Sequence, residues 1–103
     1  MAYWVYVLRC SNGSLYTGYT NDLQKRYQEH LAGEGAKYTR SFKPIEIAQA
    51  WRVFIDKSLA WKIESYIKSL SRKEKLELIE QPQQLVDLFG AEVISIESSN
   101  LSV

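Results

Sequence analysis

The sequence predicts a single α+β domain, sandwich-like, in which helices flank a three-stranded antiparallel sheet in the order β-β-α-β-α-α. Three observations support this prediction. Two stretches rich in aromatic and β-branched residues lie at the N-terminus, joined by a hairpin signal, Ser11-Asn12-Gly13-Ser14. A segment with helical periodicity follows, and then a long apolar stretch typical of a strand. The length of 103 residues suits one domain with a modest core.

The first strand is predicted over residues 3–10 and its return strand over residues 15–19. The turn between them allows two registers. A two-residue Asn-Gly loop would place Tyr6 and Tyr16 on opposite faces of the sheet, whereas a three-residue turn with Gly13 left-handed places them on one face. We adopt the second register, because a site shared by the two tyrosines requires it.

The first helix is predicted over about residues 22–32. Asn21 is a good N-cap with Gln24 as its capping-box partner, and two glycines end the helix. Arg26 and His30 are four residues apart, so they share a helical face at the edge of the core. They lie beside the apolar stripe of this helix, which is Leu23, Tyr27 and Leu31.

A basic loop is predicted next, over residues 37–44, and an apolar central strand over residues 45–55. Asp56 or Ser58 caps a second helix over residues 57–69. Its apolar stripe is Leu59, Ile63, Ile67 and Leu70.

A capping box of Ser71 and Glu74 opens a third helix, which ends before Pro82. Residues 83–89 are compatible with a further short helix. Residues 93–96 predict either an edge strand or part of a loose tail, and the pattern does not choose between them.

The charges are unevenly distributed along the chain. Residues 1–45 carry six basic and three acidic side chains, residues 57–75 carry six and two, and residues 76–103 carry five acidic and no basic ones. A basic body is compatible with a polyanionic partner, although charge alone fits an ordinary solvated surface equally well. We divide the chain into a domain over residues 1–81 and an acidic extension over residues 82–103, partly structured or loose.

Cysteine and histidine counts exclude two classes of site. With Cys10 as the only cysteine, no internal disulfide forms, and with a single histidine no Cys/His zinc site can be assembled. The pattern shows neither a secretory signal nor an apolar run approaching the length of a membrane span, so we expect a cytoplasmic protein without a membrane partner. Cys10 itself is expected to be a small buried hydrophobe.

Five groups of residues together resemble the GIY-YIG nuclease superfamily, specifically its small single-domain bacterial members. The resemblance covers about residues 3–80, and its strength lies in the ordered set rather than in any single motif. The groups are Val5-Tyr6-Val7, Tyr16-Thr17-Gly18, Leu23 to Arg26 followed by His30, Ala36 to Arg40 with Lys43-Pro44, and Ala60 to Glu64 with Lys68.

The resemblance implies a metal-dependent endonuclease whose catalytic residues are Tyr6, Tyr16, Arg26 and His30. Glu64 would be the ligand of one Mg²⁺ (or Mn²⁺), which keeps most of its waters. Arg26 offers a rigid fork to two phosphate oxygens. A free phenol has a pKa near ~10 and is a poor base at pH 7, but a nearby arginine and a metal favour the phenolate. The residues leave open which tyrosine is the base, and whether His30 relays a proton or binds the phosphate.

The partner implied is nucleic acid, with DNA expected, cut without strong sequence specificity because the small members lack a separate recognition domain. The residues expected to contact it are Lys37, Tyr38, Thr39, Arg40, Lys43 and Lys68. One departure concerns the third strand, where small members often carry an acidic residue and this chain has Arg52.

Ordinary structural roles compete with these functional ones. Taken singly, either tyrosine is typical strand packing, Arg26 fits an ion pair with Glu29 or Asp22, and Glu64 fits an ion pair with Lys68. Two other functions therefore stay open: a nucleic-acid-binding module that uses the same cleft without turnover, and a protein-interaction module that acts through the acidic tail.

Overall fold

A computed structural model describes residues 2–54, 56–90, 93–97 and 101. The described residues form an α+β fold. Its elements are β1 (Ala2–Cys10), β2 (Leu15–Thr20), α1 (Leu23–Leu31), α2 (Lys37–Ser41), β3 (Pro44–Phe54), α3 (Lys57–Ser69), α4 (Arg72–Glu80), α5 (Gln83–Phe89) and β4 (Val93–Ser95).

The sheet is antiparallel and has four strands in the order β2-β1-β3-β4, so the prediction of three strands was wrong by one. The fourth strand pairs Val93 with Val53 and Ser95 with Trp51. Three residues are too few to show a periodicity, which is why the sequence left this segment open. The strand forms because β3 has an open edge and because Val93 is fully buried there.

The hairpin turn has three residues, as predicted. Gly13 is left-handed with a φ of +82°, and the Cys10 N–H donates to the Ser14 carbonyl at 2.9 Å. Leu8 therefore pairs with Tyr16, and Tyr6 pairs with Gly18. Since cross-strand partners point to the same side, Tyr6 and Tyr16 share one face of the sheet. The register assumption on which a shared site depends is confirmed.

The two faces of the sheet carry different cores. One face packs against α3, α4 and α5; its buried residues include Val5, Val7, Trp51, Val53, Ala60, Ile63, Ile67 and Leu85. The other face packs against α1; its buried residues are Tyr6, Leu8, Tyr27, Ile47, Ala50 and Leu101. Cys10 is buried and free, as expected for a small hydrophobe.

Two local predictions in the first half of the chain were wrong. The N-cap of α1 is Asp22, not Asn21: the Asp22 carboxylate accepts from the Lys25 N–H at 3.1 Å, and Thr20 Oγ1 holds the Asp22 N–H at 3.1 Å, which moves the cap by one residue. The basic loop contains a short helix, α2. Its N-cap residue, Ala36, makes no side-chain capping bond, so the helix carries no start signal in the sequence.

The later helices match the sequence closely. Asp56 caps α3 by accepting from the Ser58 N–H at 2.9 Å. The capping box of α4 is complete, since Glu74 N–H donates to Ser71 Oγ and Ser71 N–H donates to Glu74 Oε1. None of the helices in the described ranges combines the length and the apolar character that a membrane span needs.

The chain beyond residue 81 contributes to both cores. Leu85 and Val93 join the core that contains Val5, and Leu101 joins the core that contains Tyr6. The Ile96 N–H also donates to the Ala50 carbonyl at 2.9 Å. A domain boundary after residue 81 stays a prediction, and Ile55, predicted to end the third strand, lies outside the described residues.

Candidate active site

Tyr6 is the centre of the candidate site. It lies in the middle of β1, is 2% exposed, and its hydroxyl is 2.9 Å from His30 Nε2. Its phenol lies across the neighbouring strand at Gly18, where an added Cβ would stand 2.5 Å from the Tyr6 hydroxyl oxygen. A side chain at position 18 would therefore displace the phenol. This close approach explains physically why Tyr16-Thr17-Gly18 ends in glycine.

His30 is held from both ring nitrogens. Its Nδ1 is 2.6 Å from Thr39 Oγ1, and the Thr39 hydroxyl donates to the Ala36 carbonyl at 3.0 Å. With the one proton of the Thr39 hydroxyl directed to the Ala36 carbonyl, Thr39 Oγ1 accepts from His30, which assigns the ring proton to Nδ1. In neutral His30, Nε2 is then the acceptor, and the Tyr6 hydroxyl donates to it. Tyr6, His30, Thr39 and Ala36 form one chain of hydrogen bonds with a fixed direction.

Two sequence predictions are corrected here. His30 was expected at the edge of the core, but it is fully buried, because α2 folds over the imidazole. Thr39 was expected to contact nucleic acid, but it is also fully buried and its hydroxyl is engaged with His30. The backbone of the α1–α2 connection passes so close that a Cβ on Gly35 would collide with the imidazole ring of His30.

Burial determines the protonation of the pair. It raises the pKa of Tyr6 to about 12, and the charges of Tyr16 and Glu64 add to this, against the lowering effect of Arg26. Burial also lowers the pKa of His30 to about 4, and the Arg26 charge acts in the same direction. Both groups are therefore neutral at pH 7, with His30 Nε2 free to accept a proton.

Arg26 provides the positive charge of the site. Its guanidinium is close enough to the Tyr6 hydroxyl to influence the pKa of that phenol by a hydrogen bond. Its Nη1 is 3.1 Å from Glu29 Oε1, and about a third of the side chain is exposed, so donors remain for a ligand. Tyr16 completes the cluster, because its ring lies edge-on to the His30 ring at a centroid distance of 5.4 Å.

Glu64 lies on α3, in the other helical layer. Its carboxylate is one of the charges that raise the pKa of Tyr6, its side chain is 15% exposed, and Lys68 Nζ lies 3.5 Å away. No three His, Cys, Asp or Glu side chains of the described ranges cluster in a way that could hold a metal. One carboxylate nevertheless suits Mg²⁺, which usually keeps several waters and takes its other ligands from a phosphate.

The residues expected to contact nucleic acid fall into two places. Lys37, Tyr38, Arg40 and Lys43 are exposed on or beside α2, and none of these three cations takes part in an ion pair among the described residues. Lys68 lies on α3, where it pairs with Glu64. The sequence missed the roles of Thr39 and Gly35. The sequence indicates their roles only through their distance along the chain from His30, which lets α2 fold over the imidazole.

The chain is similar to known proteins. Residues 2–77 match the model of the GIY-YIG catalytic domain, so the chain belongs to the GIY-YIG family. This is a catalytic domain that indicates nuclease activity on nucleic acid.

The individual relatives are small UPF0213 proteins. The UPF0213 protein OB0043 of Oceanobacillus iheyensis is 52% identical over 82 residues, which are 80% of this chain and 94% of the relative. The UPF0213 protein FN1575 of Fusobacterium nucleatum is 46% identical over 88 residues, covering 84% of this chain and 85% of the relative. A solution NMR structure of the UPF0213 protein BH0048 from Bacillus halodurans is 42% identical, covers 88% of both chains and has a TM-score of 0.47.

Proposed function

We propose that this protein is a metal-dependent endonuclease that hydrolyses phosphodiester bonds in nucleic acid, with DNA as the expected substrate and without strong sequence specificity. The observation that carries the proposal is the convergence of Tyr6, His30 and Arg26. A phenol that donates to a buried imidazole, beside a partly exposed guanidinium, combines a route for a proton with a site for a phosphate.

In this mechanism Arg26 binds the non-bridging oxygens of the scissile phosphate and stabilises the charge that develops on them. A water beside Tyr6 gives a proton to the Tyr6 oxygen while Tyr6 gives its own proton to His30 Nε2. The resulting hydroxide forms the new bond to phosphorus, and the leaving oxygen departs with the electron pair of the broken P–O bond and takes a proton from solvent.

Substrate binding favours this transfer. The low pKa of His30 keeps Nε2 unprotonated at pH 7 but makes it a weak acceptor, so the transfer needs a change that raises this pKa. The bound phosphate offsets the Arg26 charge that helps to lower that pKa, so the imidazole becomes a better acceptor when substrate is present. Tyr16, on the same face and against the same imidazole, would orient the water. A Mg²⁺ or Mn²⁺ ion held by Glu64 would supply further positive charge at the phosphate.

A cleavage screen tests the proposal: single-stranded, duplex, flap and branched substrates of DNA and RNA, each with Mg²⁺, with Mn²⁺ and with chelator. We expect metal-dependent cutting of at least one DNA substrate. Glu64→Gln should abolish cutting while nucleic-acid binding survives. Lys68→Gln is the comparison variant: it breaks the same ion pair and removes an expected phosphate contact but leaves the carboxylate in place, so it should weaken binding and keep metal-dependent cutting. An active Glu64→Gln protein with unchanged metal dependence would show that the metal ligand is assigned to the wrong residue.

The salt dependence of binding affinity tests the proposed contacts to the phosphates of the nucleic acid. Lys37, Arg40 and Lys43 are proposed to contact phosphates without reading bases, so binding should weaken with salt at a similar slope for unrelated sequences. Neutralising all three side chains should reduce the slope of log affinity against log salt by the equivalent of roughly two to three released ions. An unchanged slope would remove α2 and the residues after it from the binding surface.

A binding module without turnover is the second candidate. The observation in its favour is that the single proposed metal ligand, Glu64, already has a partner in Lys68. This candidate predicts nucleic-acid binding with no cutting under any metal condition of the screen.

A further inference from the structure

An aromatic surface extends from the candidate site to the outside of the protein. The Tyr38 ring lies nearly parallel to the Tyr16 ring, at an interplanar angle of 14° and a centroid distance of 6.2 Å. Phe42, the C-cap residue directly after α2, contacts Tyr38 at a centroid distance of 5.3 Å. We call Tyr38 and Phe42 the α2 platform. It is continuous with a residue of the proposed catalytic cluster, since Tyr16 also contacts His30.

The platform is exposed and yet held in place. Tyr38 is 40% exposed and Phe42 39%, which leaves much of two aromatic rings in water. The Tyr38 hydroxyl donates to Ser14 Oγ at 2.5 Å and accepts from Asn12 Nδ2 at 3.2 Å, so the ring is tied to the β1–β2 turn. A fixed ring loses little conformational entropy when a flat ligand stacks on it.

The platform lines a shallow, mainly apolar groove, with Lys37 as the cation among its lining residues. The groove has a volume of about 410 Å³ and is lined by Lys37, Tyr38, Ser41 and Phe42. Aromatic rings beside cations are the combination with which proteins bind single-stranded nucleic acid, because bases stack on the rings while cations follow the backbone. Another exposed aromatic residue, Trp61, is 56% exposed on α3, in the other helical layer.

We propose that the α2 platform stacks an unpaired base of the strand whose neighbouring phosphate lies at Arg26. The substrate class is therefore nucleic acid with a single-stranded nucleotide next to the cleaved bond, rather than continuous duplex. In a duplex both faces of each base are covered by the neighbouring bases, so no base face is free to stack on the platform. This inference rests on the proposed function for the position of the phosphate.

Binding measured without cleavage tests this inference. Fluorescence anisotropy in chelator, at one fixed salt concentration, compares a labelled oligonucleotide alone with the same strand paired to its complement, in DNA and RNA versions. Wild-type protein should bind the single strand more tightly. Tyr38→Leu and Phe42→Leu should each weaken single-strand binding by at least about fivefold, the lower end of what one stacked base contributes, and change duplex binding little.

Two further variants separate stacking from other effects. Tyr38→Phe keeps the ring and loses the hydroxyl contacts, so it should retain most of the single-strand affinity. Trp61→Leu removes a more exposed aromatic ring away from the platform and should leave both affinities unchanged. Equal or tighter binding of the duplex by wild-type protein would overturn the inference, as would unchanged single-strand binding in Tyr38→Leu. The ratio of the affinities for the DNA and RNA oligonucleotides shows which sugar the protein prefers.

The test distinguishes this inference from the proposed function. Preferential single-strand binding that depends on Tyr38, in a protein that cuts nothing, would retain the platform and reject the nuclease. Cutting of duplex at the same rate by wild type and Tyr38→Leu would support the nuclease and reject base stacking on the platform. A protein that binds no nucleic acid would reject both.

Discussion

The two faces of the sheet are built from alternate residues of the same strand and differ in the polar groups that they bury around Tyr6. Val5 and Val7 of β1 point to the α3 side, where the fully buried partners from that helix are aliphatic. Tyr6, between them, points to the α1 side, where His30 and Thr39 are buried with it. Because strand side chains alternate with period two, β1 contributes aliphatic side chains to one layer and the proposed catalytic tyrosine to the other.

The difference shows how a small domain can bury polar groups. On the α3 side, burial of aliphatic area is favourable without further conditions. On the α1 side, each buried polar atom is costly unless it has a partner. The chain from Tyr6 through His30 and Thr39 to the Ala36 carbonyl satisfies those atoms in sequence. We therefore expect substitutions on the two faces to separate stability from activity.

The largest expected effect is on the polar face. Tyr6→Phe removes the hydroxyl that passes the proton, so the cleavage rate should fall by roughly 10²–10⁴-fold, the range for loss of an acid–base group. The free energy of unfolding should fall by about 1–3 kcal/mol at most, because His30 Nε2 loses its donor. Single-turnover cleavage and urea unfolding measure the two quantities. Full activity in Tyr6→Phe would remove this residue from the mechanism.

On the apolar face the expectation is reversed. Ile63 is fully buried under the sheet, and Ile63→Ala should lower the free energy of unfolding by about 2–5 kcal/mol through lost burial and a cavity. Cleavage per folded molecule should be unchanged. Lys62→Ala, at an exposed position of the same helix, is the control and should stay within about 0.5 kcal/mol of wild type. A loss of activity in folded Ile63→Ala protein would show that the two faces are coupled.

Acid should destabilise the polar face through His30. Its folded-state pKa, about 4, lies below its ordinary value of 6.5, so the unfolded chain takes up the proton first as the pH falls. The stability that neutral His30 contributes is full above pH 6.5 and is lost as the pH falls toward 4, by up to about 3 kcal/mol. Urea unfolding over this range should show a steeper decline for wild type than for His30→Gln. Parallel curves would mean that His30 titrates normally in the folded protein.

The smallest expected effect concerns the ion pair at the edge of the site. Arg26 and Glu29 are three residues apart on α1, and each side chain is about a third exposed. Glu29→Gln should change the free energy of unfolding by no more than about 0.5 kcal/mol and should leave Arg26 able to bind phosphate. A stability loss above about 1 kcal/mol would indicate that this pair supports the fold and is not mainly a ligand-binding feature.

The sequence predictions succeeded where the interacting residues are close together in the chain. The capping box of Ser71 and Glu74 was predictable, because it is formed by residues close in sequence. The residues around Gly13 allowed two turns, and the three-residue turn that the structure has was chosen because a site shared by Tyr6 and Tyr16 requires it. The faces of Tyr6 and Tyr16 followed from the turn. Grouping the site residues required the family resemblance, since no local pattern brings Glu64 toward Tyr6.

The predictions failed where structure depends on distant partners. Strand β4 needs the edge of β3, and α2 has no capping side chain of its own. Thr39 was expected to contact nucleic acid because it belongs to the segment from Ala36 to Arg40 that carries the family resemblance, but it is buried against His30. The buried side of a segment as short as α2 cannot be inferred from five residues, because the helical period spans nearly all of them.

The central claim is that the polar face carries a directed chain from Tyr6 to His30, and the tautomer of His30 tests it most directly. The chain contains one histidine, so its ¹⁵N NMR signals are unambiguous. At pH 7 we predict a neutral imidazole with the proton on Nδ1 and a bare Nε2. Thr39→Val should shift the population toward the other tautomer, and Thr39→Ser should preserve it. A proton on Nε2 in the wild-type protein, or an imidazolium at pH 7, would contradict the account, because Tyr6 would then have no acceptor for its proton.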